Sequence, residues 1–285
     1  MTRPASPPLE PGLYVVATPI GNLRDITLRA LDVLAGVDRI YAEDTRVTRK
    51  LLDAHAISAK LAPYHEHNAE AAREDVLAAL ARGERVALVS DAGTPLISDP
   101  GFKLVRAVVE SGHDVTPIPG ASALLSALVG AGLPTDRFLF AGFLPPKSAA
   151  RRTVLAELSG VPATLVFYET GPRLAESLAD MADVLGARPA AIARELTKLY
   201  EEFRRAPLDE LATHYAGASM PKGEIVVVIG PPPPAPEASE ADLDAFLSEA
   251  LTRVGVKEAA QEASAKLNVP RRVAYARALV LKDKP

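Results

Sequence analysis

Three short segments of this sequence combine residue types that hold a ligand through the backbone and set a few polar groups beside it. The longest runs Asp91-Ala92-Gly93-Thr94-Pro95-Leu96-Ile97-Ser98-Asp99-Pro100-Gly101, between a strand pattern and a helix pattern, a connection for which about 2–6 residues suffice. Gly93 and Gly101 let a ligand approach the backbone closely, while Pro95 and Pro100 hold the shape of the loop in advance. Asp91 and Asp99 offer carboxylates to an amine or to ribose hydroxyls, unless they cap turns or the next helix instead. The second segment, Thr18-Pro19-Ile20-Gly21-Asn22, follows the first strand pattern and by itself reads as a tight turn. The third, Pro119-Gly120-Ala121-Ser122-Ala123, opens a helix with small residues, so its N–H groups are accessible and Ser122 can donate or accept. A plain helix N-terminus is the alternative there. None of the three carries the G-x-G-x-x-G fingerprint, and the chain has no P-loop, which argues against a Rossmann dinucleotide site.

The elements that must position these loops follow from the hydrophobic pattern. From Gly12, short β-branched runs alternate with longer Ala/Leu-rich helical periods, the signature of βαβ units and a mainly parallel sheet. The pattern predicts strands over Leu13–Ala17, Arg39–Ala42, Arg85–Ser90 and Asp114–Ile118, with helices over Thr27–Leu34, Ala69–Ala81, Phe102–Ser111 and Ala121–Ala131. Gly83 and Gly112 stand just past two of those helices, where glycine is favoured. Around Gly132–Asp136 the pattern changes, and a second α/β set follows with strands at Phe138–Phe140, Thr164–Tyr168, Ala190–Ala193 and Glu224–Ile229. The expected organisation is a leader at 1–11 that is disordered, α/β domains over 12–133 and 134–230, a proline-rich linker at 231–236 and a basic helical module over 237–285.

Composition narrows the class. At 285 residues and 48% hydrophobic content the chain can fill the cores of two domains, and no apolar run approaches the roughly 20 residues of a membrane helix. Cysteine is absent, which excludes disulfides and thiolate chemistry and fits a cytoplasmic protein. His65 and His67 are a close pair without a third ligand at a recognisable spacing, so no metal site is expected. The net charge is −4, yet from Arg253 onward Arg253, Lys257, Lys266, Arg271, Arg272, Arg277, Lys282 and Lys284 face only Glu258, Glu262 and Asp283. Helices predicted over Asp242–Leu251, Lys257–Leu267 and Arg271–Leu281, with a break at Asn268-Val269-Pro270, resemble a helix-turn-helix; a small helical cap with a solvated charged face is the alternative.

Taken in order, the motifs resemble the tetrapyrrole-methylase family over nearly the whole chain, and more closely its branch acting on ribosomal RNA. They are TPIGNLRDIT at 18–27, AEDTR at 42–46, YHEHN at 64–68, SDAGTPLISDPG at 90–101, PGASA at 119–123, GFLP at 142–145, FYE at 167–169, RELTK at 194–198 and KGE at 222–224. The resemblance implies a two-domain class III methyltransferase with S-adenosylmethionine folded into the cleft between the domains. By motif match Pro19, Gly21, Asp91, Ala92, Gly93, Thr94, Ser122 and Ala123 would contact the cofactor, with Phe167, Tyr168, Leu196 and Gly223 completing the site. It further implies methylation of a cytidine 2′-hydroxyl in the decoding region of 16S rRNA, a 30S particle as partner, and a homodimer. A protonated hydroxyl is a poor nucleophile and needs a base or a nearby positive charge; Asp44, Arg46 and His65 are the candidates, and Arg49, Lys50, Lys147, Arg151, Arg152, Arg271, Arg272 and Arg277 are candidates for RNA contacts. One departure stands out. The family usually follows FYE with a small residue, Pro, His and Arg, whereas this chain has Thr170-Gly171-Pro172-Arg173 and lacks the histidine. Competing readings are a methylase of a corrin precursor and a non-catalytic RNA-binding or ribosome-assembly protein.

Overall fold

A computed structural model of the chain describes residues 8–99, 101–234, 239–267 and 269–282. It divides into two compact units, Met1–Pro232 and Pro233–Pro285. Most of the predicted leader, residues 1–7, lies outside the described residues. The rest of it is tied down: Leu9 packs on the first core, and the Glu10 carbonyl accepts the Tyr14 hydroxyl at 2.7 Å.

The first sheet comprises β1 (Gly12–Val16), β2 (Arg39–Ala42), β3 (Leu61–Pro63), β4 (Arg85–Val89) and β5 (Val115–Ile118), in the order β3-β2-β4-β1-β5. Every pairing in it is parallel. Each strand is followed by a helix: α1 (Leu28–Gly36), α2 (Thr45–Ala54), α3 (Ala69–Ala81), α4 (Phe102–Glu110) and α5 (Ala123–Gly130). Parallel strands buried on both faces need apolar residues at odd and even positions alike. In β1, Tyr14 and Val16 enter one core while Leu13 and Val15 meet the other. Two helix ends are set by glycine. Gly83 and Gly112 have φ of 79° and 76°, and the N–H groups of Gly83 and Glu84 bond back to the Leu80 and Ala79 carbonyls, closing the helix in the left-handed turn that glycine adopts without strain. Because β1 lies between β4 and β5 and runs parallel to both, the loops after these three strands emerge on one edge of the sheet, where open α/β sheets bind ligands.

The second sheet, β6 (Phe138–Phe143), β7 (Thr164–Thr170), β8 (Pro189–Arg194), β9 (Glu202–Pro207) and β10 (Glu224–Ile229), has the order β6-β7-β10-β8-β9. Only β6 and β7 pair in parallel, and the other three pairings are antiparallel. The segment 195–201 between β8 and β9 is too short for a crossover, so the chain must return alongside itself. Helices α6 (Ser148–Leu158), α7 (Gly171–Leu185) and α8 (Leu208–Gly217) complete this half. Strand alternation sorts its side chains between two cores. Leu165, Phe167, Ile225, Val227 and Ile229 pack on one face, whereas Val166, Val226 and Val228 pack on the other, against Leu124, Ala127 and Leu128 of α5 and against Ile20. That shared core joins the two sheets within the first unit and brings their loops together.

The second unit is three helices, α9 (Glu240–Leu251), α10 (Val256–Leu267) and α11 (Arg271–Lys282). Its core is mostly alanine, with Ala250, Ala259, Ala260, Ala263, Ala274 and Ala278 buried beside Leu243 and Leu247. A reciprocal cap between Ser239 and Asp242 starts α9. Among the described residues, no helix is long and apolar enough to cross a membrane, and no group of three or more His, Asp or Glu side chains is placed to hold a metal ion. Residues 231–234 have no regular structure, and the remainder of the predicted linker lies outside the described residues.

Candidate functional site

The rim of β4 begins the site. Past Val89 the chain cannot turn directly into α4 because its backbone is drawn toward β1: Thr18 and Gly93 exchange backbone hydrogen bonds at 2.9 and 3.1 Å. Ser90 Oγ donates to the Gly93 carbonyl, and Thr18 Oγ1 to the Ser90 carbonyl, each at 3.2 Å. Thr94 Oγ1 donates to the Ala121 carbonyl at 3.3 Å, tying the loop to the start of α5. The loop also holds two non-glycine residues in the left-handed region, Leu96 (φ 72°) and Ser98 (φ 67°), a conformation that costs free energy and concentrates at ligand sites.

These constraints enclose a cavity of about 300 Å³ between the two sheets, at the lower end of small-molecule sites. Ile20, Ile97, Phe143, Tyr168 and Val226 give it apolar walls; Asp91, Thr94, Asp99, Ser122 and Glu224 bring polar groups. Gly93 (φ 87°) and Gly223 (φ 94°) present bare backbone to it. Carboxylates gather on the first-sheet rim. Burial, reinforced by the neighbouring Asp91 charge, raises the Asp99 pKa against the opposing hydrogen bond from Ser90. Burial also raises Glu43, followed by the charges of Asp91, Asp99, Glu66 and Asp44. Such a rim favours a cationic ligand, since a positive charge there relieves repulsion among the acids.

A second cavity of about 380 Å³ adjoins the first and shares Ile20, Asp91, Ala92 and Glu224 with it. Pro19, Gly21, Leu23, Thr48, Lys50 and Lys198 are among the residues that line it.

The predicted cofactor residues separate accordingly. Asp91, Ala92, Gly93, Thr94, Ser122, Ala123, Tyr168 and Gly223 line the first cavity, whereas Pro19 and Gly21 line the second. Phe167 requires correction: it is fully buried in the core on the far face of its strand, because adjacent residues of a strand point to opposite faces and Tyr168 takes the cavity side. Leu196 likewise packs inside the core between the sheets and lines neither cavity. Asp99, Phe143 and Glu224 line the first cavity without having been singled out as cofactor contacts. Asp99 was legible as the second carboxylate of the over-long loop; nothing in the local pattern marks Phe143.

The predicted catalytic group is also redistributed. Asp44 caps α2 by accepting the Arg46 N–H at 2.8 Å, and its carboxylate is forked by the Arg46 guanidinium. The hydrogen bonds from the Arg46 side chain and backbone hold the Asp44 carboxyl down to about 2, far too acidic for a base working near neutrality. Neither residue lines the first two cavities; Asp44 reaches the site through its backbone N–H, which donates to Asp91 Oδ1 at 2.8 Å. His65 lies next to the buried Tyr64, its Nδ1 buried without a hydrogen-bond partner among the described residues, and it too lines neither cavity.

Among the predicted RNA contacts, Arg151 is corrected: it is 1% exposed, with Nε 2.7 Å from Asp180 Oδ2. Arg152 also reaches Asp180 and Asp183 but stays half-exposed. The Arg277 fork grips Asp244 and ties α11 to α9, so it is engaged in packing rather than offered to phosphate. Arg49, Lys50, Lys147, Arg271 and Arg272 are exposed. After Glu169, Gly171 stands where a Cβ would lie 1.8 Å from the Pro221 carbonyl oxygen, so the altered run Thr170-Gly171-Pro172-Arg173 is locked to the β10 approach by a backbone contact.

Comparison with known proteins accords with this geometry. Residues 12–212 match the family described as Tetrapyrrole (Corrin/Porphyrin) Methylases, and residues 237–282 match the RsmI C-terminal HTH domain. The chain is 53% identical over 277 residues to the ribosomal RNA small subunit methyltransferase I of Mesorhizobium japonicum, covering 97% of this chain and 94% of that protein. Its identity to the protein of that name from Erythrobacter litoralis is 52% over 276 residues, 96% and 97% of the two chains. Among solved structures, uroporphyrin-III C-methyltransferase from Thermus thermophilus complexed with S-adenyl homocysteine superposes with a TM-score of 0.53 at 20% identity, over 76% of this chain and 96% of that one. With a family match over residues 12–212 and relatives alike over almost their full length, the chain belongs to the tetrapyrrole (corrin/porphyrin) methylase family, in the branch that holds the ribosomal RNA small subunit methyltransferases I.

Proposed function

We propose that the chain methylates the 2′-hydroxyl of a cytidine ribose in the decoding region of 16S rRNA, within the 30S particle. It is an S-adenosylmethionine-dependent methyltransferase acting on ribosomal RNA. The observation that carries the reading is the likeness to ribosomal RNA methyltransferases over 97% of the chain, including the basic helical unit that the 76% overlap with a tetrapyrrole enzyme does not require. A corrin precursor is therefore the weaker substrate, and a non-catalytic RNA-binding role leaves the well-formed cavity without a purpose.

The first cavity suits the cofactor. When bound, S-adenosylmethionine supplies an activated methyl on a positively charged sulfur. The acids of the rim favour that positive charge, the apolar walls exclude water, and the bare backbone at Gly93 and Gly223 admits a ligand closely. Asp44 serves as a positioning residue, its backbone holding Asp91 at the junction of the two cavities. Since asparagine also caps helices, Asp44→Asn is expected to keep α2 intact and to change the single-turnover rate by no more than a few-fold. The exposed apolar side chains of Leu125 and Val129 on α5 suit a second copy of the chain, in keeping with a homodimer working in the cytoplasm.

Methyl transfer from labelled S-adenosylmethionine to undermethylated 30S particles tests the proposal, with the position of the label mapped on the RNA; no transfer to RNA by folded, cofactor-bound protein would overturn it. In the same assay, deletion of everything after Pro236 should leave cofactor affinity nearly unchanged. RNA binding should weaken, and the log-affinity against log-salt slope should flatten by about 0.7 to 0.9 for each phosphate that the truncated protein no longer neutralises. An unchanged slope would make the basic unit a structural cap.

A further inference from the structure

The second cavity presents a buried polar group that no partner satisfies among the described residues. Thr48, on α2, is 2% exposed and lines it, yet its hydroxyl has no hydrogen-bond partner among the described residues. An unpaired buried hydroxyl costs free energy, and a ligand that reaches it removes the cost. Lys198 also lines the cavity, and its Nζ stands 2.9 Å from both Glu195 Oε1 and Glu224 Oε2. The loop that carries it is strained, with Glu195 (φ 50°) and Thr197 (φ 65°) both in the left-handed region. Two glycines make room for this arrangement: a Cβ on Gly21 would lie 2.4 Å from Lys198 Cγ, and one on Gly223 would lie 2.2 Å from Glu195 Oε1. Three separate chain segments are thus shaped to hold one ammonium group at a cavity wall. Burial opposes the charged form of Lys198, but the hydrogen bonds to Glu195 and Glu224 outweigh it and raise its pKa, so the group is a cation across the working pH range. Leu23 and Val47, which also line the cavity, are partly exposed apolar side chains, suited to flank a base drawn out of its stack.

We infer that this second cavity receives the nucleotide to be methylated and that Lys198 is a catalytic residue whose ammonium meets the ribose 2′-hydroxyl. The inference rests on the function proposed above. Of the two carboxylates that line both cavities, Asp91 and Glu224, it is Glu224 that stands 2.9 Å from the ammonium and is placed to accept the proton. In the step, the 2′-oxygen forms a bond to the methyl carbon while the carbon–sulfur bond breaks and sulfur keeps the electron pair. The hydroxyl proton passes to Glu224, and the ammonium stabilises the charge that develops on oxygen.

The test uses the full chain with undermethylated 30S particles at saturating cofactor. Lys198→Met should lower the single-turnover rate by about 10²-fold or more, while cofactor affinity by calorimetry stays within about twofold, because Lys198 does not line the first cavity. Lys198→Arg should recover part of the rate. Thr48→Val should raise KM for the particle by roughly 3- to 10-fold, as expected when one hydrogen bond is removed, with a melting temperature equal to or above that of the unsubstituted protein. If the unsubstituted protein transfers no methyl to RNA, the proposed function itself falls. If it does and Lys198→Met matches its rate, this inference alone falls. Should Lys198→Met fail to fold, Lys198→Arg and Thr48→Val decide: both at the unsubstituted protein's rate and KM would equally overturn it.

Discussion

Gly93→Val is expected to lower S-adenosylmethionine affinity by more than about 100-fold, that is by more than about 2.8 kcal/mol at 1.4 kcal/mol per tenfold change. Two independent features of the residue produce the effect. Its φ of 87° lies where a β-branched side chain is strained whatever the space around it, and an added Cβ would stand 3.1 Å from Ile20 Cγ2, on the wall of the cavity. Relief of either strain must move the Thr18–Gly93 backbone pair, and with it the edges of both cavities. The backbone cost of about 1–2 kcal/mol is small beside the roughly 5–15 kcal/mol that keeps a protein of this kind folded, so the far-ultraviolet circular dichroism should be unchanged. A folded variant that binds with unaltered affinity would show that the loop after β4 does not hold the cofactor.

Arg151→Ala is expected to act on stability rather than on RNA. The guanidinium is buried, bonded to Asp180 and to the carbonyls of Pro145 and Pro146, and Asp180 is itself 7% exposed. Removing one partner of a buried pair costs about 3–5 kcal/mol because the other charge is left in place. Ser148 and Arg152 still bond to Asp180 in the variant, which favours the lower end of that range. At roughly 2–4 °C per kcal/mol for a protein of this size, the melting temperature should fall by about 10 °C. Arg151→Met combined with Asp180→Leu should lose less than Arg151→Met alone, since no unpaired charge remains buried. The salt dependence of RNA binding should not change. A melting temperature within about 2 °C of the unsubstituted protein, or a flattened salt slope, would return Arg151 to the RNA surface.

The contrast between these two residues shows how far the sequence reaches. Gly93 was legible because its surroundings are local: an over-long connection with two glycines and two prolines between a strand and a helix restricts the backbone by itself. The same is true of Gly83 and Gly112, whose left-handed conformations follow from their place after a helical period, and of β2, α3 and β10, whose bounds follow from runs of consistent hydrophobic pattern. Arg151 looks like any surface arginine on an amphipathic helix. Its burial depends on Asp180, 29 positions away on α7, and no local pattern carries that pairing.

The motifs by themselves determined the family and the fold class, because each of these is a matter of residue type at short spacing. Strand alternation already implied that Phe167 and Tyr168 cannot face the same cavity, although the motif alone does not say which of them does. Only the tertiary structure decided that question, through the packing of α5 against one face of the second sheet. It also turned Asp44 toward Arg46 and away from the cavity, and placed Lys198 between Glu195 and Glu224, which belong to different strand ends. These outcomes depend on which distant charges the fold brings within hydrogen-bond reach, and that is set by the closure of two sheets around a common core rather than by any stretch of the chain taken alone.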